Sequence, residues 1–267
     1  MFPPTPTFKG AMRLARLADL PRIGVVAAAA FYHSSWFAYE RPYYNQYPLD
    51  TLASYRRSFL RALFDPDSIV VVVEDTLDET ESNRVYNALA SVYPPFDEQI
   101  PKDLLDQGKA VVAVASFSLL PDSARHGQFQ PEGDNPGVPE TPVLNRDKNA
   151  IASENMDKVL HPQEVETFKG RMVIDMMVTH PSHWRRGHGT LITKWFIDLA
   201  RQDQVGLAVA AAPMGKVHFS SLGFKKAKTV EIPGYHDHPN PIYAWLGLLN
   251  VKQNGGCGGE RVSRAFL

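Results

Sequence analysis

One carboxylate, one glycine-rich basic loop and a scatter of histidines are the groups in this chain best placed to do chemistry. Asp175 is the only charged residue in the run Met172-Val173-Ile174-Asp175-Met176-Met177-Val178. A carboxylate in such an apolar setting loses solvation, so its pKa rises towards working pH and it can take a proton from an ammonium group. The structural alternative is that Asp175 pairs with a nearby arginine or caps a structural bond. Next comes Trp184-Arg185-Arg186-Gly187-His188-Gly189-Thr190, leading into a helix. Strand, basic Gly-rich loop and helix N-terminus, in that order, aim free backbone N–H groups at an anion and predict a phosphate-bearing ligand. His180, His183 and His188 flank the loop and read as surface or phosphate-adjacent groups. His236-Asp237-His238 has the spacing of a metal pair, but it lies among Pro233, Pro239 and Pro241 with no third ligand in reach. Catalytic zinc uses three protein ligands. No metal is therefore expected, and 233–241 reads as a solvated loop beside an acceptor site.

These groups need elements to hold them. Residues 11–18 suit a first strand, and Asp19 with Pro21 suits a helix start over 20–38. A second helix is expected from Leu49 to Leu63, ending before Asp65-Pro66. Ile69 to Val73 and Lys109 to Leu119 read as buried strands, and 76–83 as a solvated acidic loop. Residues 121–150 lack any apolar period and read as a long loop, with a short amphipathic helix over 153–168. Strand 172–178 and the helix carrying Leu191, Ile192, Trp195, Phe196 and Leu199 follow. Strand Gly206–Ala211, a short helix over 215–222, and strands Lys228–Ile232 and Ile242–Leu249 complete the pattern. The segment 31–47 is rich in rings: Tyr32, Trp36, Tyr39, Tyr43, Tyr44 and Tyr47. Such rings hold an aromatic amine or a cation, although at least half should pack into the core.

The whole chain of 267 residues restricts the reading further. A net charge of -1 gives no bulk attraction to nucleic acid or anionic membrane. Cys257 stands alone, which rules out a disulfide framework and a cysteine zinc site. The first residues lack a secretory pattern, and no apolar run is long enough to span a bilayer. A soluble cytoplasmic protein is expected.

The loop also discriminates among cofactors. A dinucleotide fold wants a third glycine where Ile192 stands, and a Walker loop wants lysine where Thr190 follows Gly189. Residues 172–224 instead resemble the GNAT superfamily of acyl-CoA-dependent N-acetyltransferases, and most closely its fungal-type members. The family motif Gln/Arg-x-x-Gly-x-Gly/Ala falls on Trp184 to Gly189. Its second motif, strand, short helix and Leu-Gly-Phe, falls on Ala208 to Phe224, and His180-Pro181 before the loop is typical of the family.

The resemblance implies a mixed, mostly antiparallel α/β sheet flanked by helices, in one GNAT-like domain over 8–250. That domain carries an insertion at 121–150 and a flexible tail at 251–267. It implies acetyl-CoA as cosubstrate, held by Met176, Met177 and Val178 along the strand, by Arg185, Arg186, Gly187, His188, Gly189 and Thr190 at the loop, and by Phe219. The thioester would lie near Asp175 and Met177. Direct transfer to a primary amine in a ternary complex follows, with a small-molecule or peptide amine as acceptor and a homodimer as the assembly. The acceptor pocket would come from 31–47, 121–150 and 233–241.

Two departures stand out. Trp184 replaces the Gln/Arg, and Phe219 replaces the tyrosine that often protonates the departing thiolate. The upstream asparagine is also missing, with Ala212 in that region. His218 is the neighbouring candidate for that acid, and water is the other. The glutamate of histone-acetylating members maps to Val173, leaving Asp175 as the candidate base. The competing readings are a non-catalytic acyl-CoA sensor and a nucleotide-binding domain.

Overall fold

The computed structural model describes residues 2–131 and 144–251. Strand β1 (Met12–Leu14) leads through a 3-10 turn into α1 (Leu20–Phe31). Asp19 does not cap α1 with its side chain. Its carboxylate instead accepts from both Arg13 Nη atoms, at 2.6 and 2.9 Å, and from the Arg16 N–H at 2.7 Å. The helix expected over 20–38 breaks at Tyr32. Ser34 then accepts from the Trp36 N–H at 3.2 Å and starts a separate helix, α2 (Ser35–Glu40). Helix α3 (Pro48–Phe64) precedes β2 (Ser68–Thr76).

Three short helices follow: α4 (Asn87–Ala90), α5 (Phe96–Gln99) and α6 (Lys102–Leu105). They lie between β2 and β3 (Lys109–Ser118). A continuous helical stretch is made of α7 (Ala150–Asn155), a π turn (Met156–Leu160) and α8 (His161–Phe168). Then come β4 (Arg171–Thr179), α9 (His188–Asp203), β5 (Gly206–Ala211) and α10 (Pro213–Ser221), and finally β6 (Lys225–Ile232) and β7 (Ile242–Leu249).

The seven strands form one sheet in the order β1-β2-β3-β4-β5-β7-β6. Only the β4–β5 pair is parallel, so the sheet is mixed and mostly antiparallel as expected. The unbroken apolar runs in β2 and β3 follow from burial on both faces. Val70 and Val72 pack with α1 and α3, whereas Ile69, Val71 and Val73 pack on the α9 face. There Phe117 stacks on Phe196 with ring centroids 3.9 Å apart.

The flanks of the 121–150 segment are anchored. Arg125 is buried and binds Asp203 at 2.7 Å through both Nε and Nη2, and Asp147 is buried against Arg41 and Thr51. Residues 132–143 and the tail from 252 lie outside the described residues. The supposedly solvated loop 76–83 contains a fully buried Glu81, bound to Arg22 and, at 2.6 Å, to the Tyr93 hydroxyl. The burial has an electrostatic reason, since a charge leaves water only with a partner.

Candidate active site

Strands β4 and β5 pair only from Arg171–Gly206 to Ile174–Val209. Beyond that point β4 stays with β3 as far as Thr179, while β5 stays with β7 as far as Ala211. The strands part, and between them opens a cavity of about 830 Å³. A second cavity of about 390 Å³ shares Trp36, Ile174, Asp175 and Ala210 with it. Asp175 therefore stands where two openings meet.

A bulge puts it there. Ser116 pairs with Met176 and Phe117 with Ile174, so Asp175 is the extra residue on β4. Bulges re-aim side chains and break the period of two. Met172 and Ile174 pack on the α9 face, and so does Met177, while Met176 and Val178 pack towards α1 and α3. Simple alternation from 172 would have put Met176 on the α9 face.

The Asp175 side chain is exposed to the cavities, with protein packed closely around them. Lost solvation pushes its pKa up to about 7, against a 2.8 Å hydrogen bond from the Ser118 hydroxyl and with help from the Glu164 and Asp65 carboxylates. No arginine pairs with it among the described contacts. Ser118 gave no sequence signal, because only the register of β3 on β4 brings it to Asp175.

The loop behaves as an anion cradle. Arg185 and Gly187 both have positive φ, +66° and +89°. The first helical hydrogen bond of α9 runs from the Leu191 N–H to the Gly187 carbonyl, at 2.9 Å. The N–H groups of residues 185–190 find no acceptor among the described residues. A Cβ on Gly189 would stand in ordinary contact with His218 at 3.5 Å and Met177 at 3.8 Å. Trp184, in place of the family's Gln/Arg, donates from Nε1 to the Thr179 carbonyl at 2.7 Å and ties the loop to the end of β4. Arg186 reaches Asp75 at 3.1 Å.

The other expected residues divide. Met176, Met177, Val178, Arg185, Gly187, His188, Gly189, Thr190 and Phe219 all line the larger cavity. Phe219 is also part of the core and packs on Phe224. His218 lines the cavity on the α9 side, with Nε2 at 3.0 Å from the Thr193 hydroxyl. That hydroxyl also donates to the Gly189 carbonyl at 2.8 Å. Burial lowers the basicity of His218. No hydrogen bond joins Asp175 to His218 among the described contacts.

His180 and His183 are fully buried rather than on the surface, while His183 and His188 line the larger cavity beside the loop. Of the six rings singled out in 31–47, only Trp36 lines a cavity, where it is joined by Phe31, Phe37 and Tyr55. Tyr32 and Tyr44 pack against the core, Tyr39 is buried, Tyr43 bonds Asp237 at 2.8 Å, and Tyr47 lies under Arg146. No described residue of 121–150 or 233–241 lines either cavity.

A central strand splayed from its parallel neighbour, with an anion-binding loop and helix at its C-terminal end, defines the GNAT class of α/β fold. No family model matches the chain. A protein of Stachybotrys chartarum named Acetyltransferase is 31% identical over 238 residues, covering 88% of this chain and 89% of that relative. The C-terminal condensation domain of Ebony in complex with beta-alanyl-dopamine shares the fold, with a TM-score of 0.52 at 11% identity, over 90% of this chain and 98% of that one. A structure described as histone acetyltransferase HPA2 and related acetyltransferase, from Corynebacterium glutamicum, gives a TM-score of 0.48 at 15% identity, over 88% of this chain and 94% of that one. The chain belongs to the acetyltransferases.

Proposed function

We propose that this acetyltransferase moves an acetyl group from acetyl-CoA to a primary amine with an apolar, aromatic-sized body, by direct attack with Asp175 as base. The observation that carries the reading is the position of Asp175, at the meeting of two cavities and with a pKa near 7. A base with that pKa is half ionised at neutral pH, which suits a general base.

The residues present fit acetyl-CoA. The unbonded N–H groups of 185–190 and the α9 N-terminus suit the pyrophosphate, and Arg185 adds a cation at the rim. The unpaired edge of β4 beyond Ile174 suits the amide-bearing arm. Gly189, which carries no side chain, lines the cavity at the loop.

The acceptor would lie along Trp36, which borders both cavities, with Phe31, Phe37 and Tyr55 beside it. Glu40 also lines the larger cavity, but Lys148 holds it at 2.7 Å. Glu164 lines only the smaller cavity, with His161 3.9 Å away, so Asp175 is the carboxylate that borders both cavities. Asp175 takes one proton from that ammonium, and the freed lone pair forms the C–N bond as the C–S bond breaks. The proton count balances as ammonium plus thioester giving amide, thiol and one proton released to water. Phe219 donates no proton, and burial disfavours the protonated form of His218. We assign His218 the positioning of Thr193 under the Gly189 carbonyl, and the thiolate takes its proton from water.

The test is thiol release from acetyl-CoA with phenylalkylamines, linear polyamines and lysine peptides. Turnover greatest with the phenylalkylamines is expected. Tight acetyl-CoA binding with no turnover across the panel would replace this reading with the sensor.

A further inference from the structure

We propose that Asp75, His183 and His188 form a binding site for a zinc-like divalent cation directly behind the phosphate loop. The three residues come from separate elements. Asp75 stands near the end of β2, His183 closes the 3-10 turn Pro181–His183, and His188 opens α9.

Their geometry is close to that of a ligand set. His188 Nε2 lies 3.1 Å from Asp75 Oδ2, and His183 Nδ1 lies 3.5 Å from the same oxygen. All three candidate ligand atoms lie within 4.8 Å of one another. Ligands at about 2.0–2.1 Å around tetrahedral zinc stand roughly 3.3 Å apart, so small side-chain movements complete the set.

The independent observation is His183 itself. Its side chain is 0% exposed, and neither ring nitrogen makes a hydrogen bond among the described residues. Buried polar groups without partners are rare and costly. Here the imidazole is aimed with Nδ1 at Asp75 and with Nε2 towards Glu81 Oε2, at 3.9 Å. A carboxylate behind a ligating histidine is the usual outer support of a metal ligand. Glu81 is itself held by Arg22 and by Tyr93, so that support is rigid. Two imidazoles and one carboxylate are a donor set for zinc, copper, nickel or iron rather than for calcium or magnesium. A fourth position is left for water.

There is a way in, since His188 and Asp75 side chains are 12% and 26% exposed. The exposed Arg186 guanidinium now reaches Asp75 at 3.1 Å and would have to swing away. Cation binding would thus pin the loop between β2 and α9 and turn Arg186 outwards. His236 and His238 are not part of this group.

The experiment titrates cobalt(II), then zinc, into the full chain after chelator treatment, following the visible d–d absorption of cobalt. It needs no acetyl-CoA, so it stands or falls apart from the assigned reaction. One cobalt per chain is expected, displaced by zinc, with zinc raising the melting temperature. His188→Gln and Asp75→Asn should each weaken binding about 100-fold or more and remove the zinc-induced rise, while the double variant His236→Ala, His238→Ala binds as before. Folded protein that takes up no cobalt at micromolar concentration, or equal binding by His188→Gln, overturns the proposal.

Discussion

Asp175 draws its proposed chemistry from its surroundings rather than from its own type. Lost solvation in the cleft raises the carboxyl to about 7 in spite of the Ser118 hydroxyl. The rise acts on stability as well as on rate. Between the unfolded value, about 3.9, and the folded one, the unfolded chain ionises at this position while the folded chain does not. Folding stability should therefore fall through that window as pH rises. Asp175→Asn removes the effect, so the variant's melting temperature should exceed that of wild type by a margin that grows from pH 4 to pH 7 and then levels off. Acetyl-CoA affinity should be unchanged in that variant. At the loop, a side chain at Gly189 would start in contact with His218 and Met177, which line the same cavity. Gly189→Glu adds both bulk and a negative charge, and should weaken acetyl-CoA binding by more than about 100-fold in calorimetry with the fold intact. Asp175 and the loop were legible in the sequence because each is a local anomaly: a charge in an apolar strand, and glycines beside arginines. Ser118, Asp75 and Glu81 were not, because only tertiary pairing gives them their partners.

The elements that position these residues were easiest to read where pattern and burial agree. Strands Gly206–Ala211 and Ile242–Leu249 have the expected limits, and α9 carries the apolar stripe on the face that meets the sheet. That stripe bears weight. Phe196 is fully buried and stacked on Phe117. Phe196→Ala should cost about 3–5 kcal/mol in denaturant unfolding. What the pattern could not supply was irregularity. The bulge at Asp175 depends on how β3 meets β4, and the break after Phe31 depends on Ser34 capping a new helix. Neither changes the apolar period enough to be read. The π turn at Met156–Leu160 is similarly silent in the sequence. Yet the bulge decides which cavity wall the base occupies, so an irregular pair of residues matters more to the site than the regular strands around it.

Across the whole molecule, buried ion pairs fix the segments around the sheet. Arg22 on α1 holds Glu81 from the β2–α4 connection, and Arg41 after α2 holds Asp147 before α7. Burial alone would raise the Glu81 carboxyl, but Arg22 outweighs it and holds the group below the usual range. Its contribution to stability is present above the unfolded value and is lost as pH falls through the folded one. Glu81→Gln leaves the Arg22 charge uncompensated and should cost about 3–5 kcal/mol at pH 7 by denaturant unfolding. The same carboxylate lies behind His183, so the frame of the fold and the back of the phosphate loop share one support. All of this serves one claim, that the cleft between β4 and β5 holds acetyl-CoA and an amine with Asp175 between them. The direct measurement is the pH profile of kcat/KM for acetyl transfer to the best amine, in wild type and in Asp175→Asn. Wild type should rise to a plateau with a midpoint near 7, as Asp175 gives up its proton. Asp175→Asn should be slower by about 10²–10⁴-fold and lack that midpoint. An Asp175→Asn profile with the wild-type rate and the same midpoint would contradict the account.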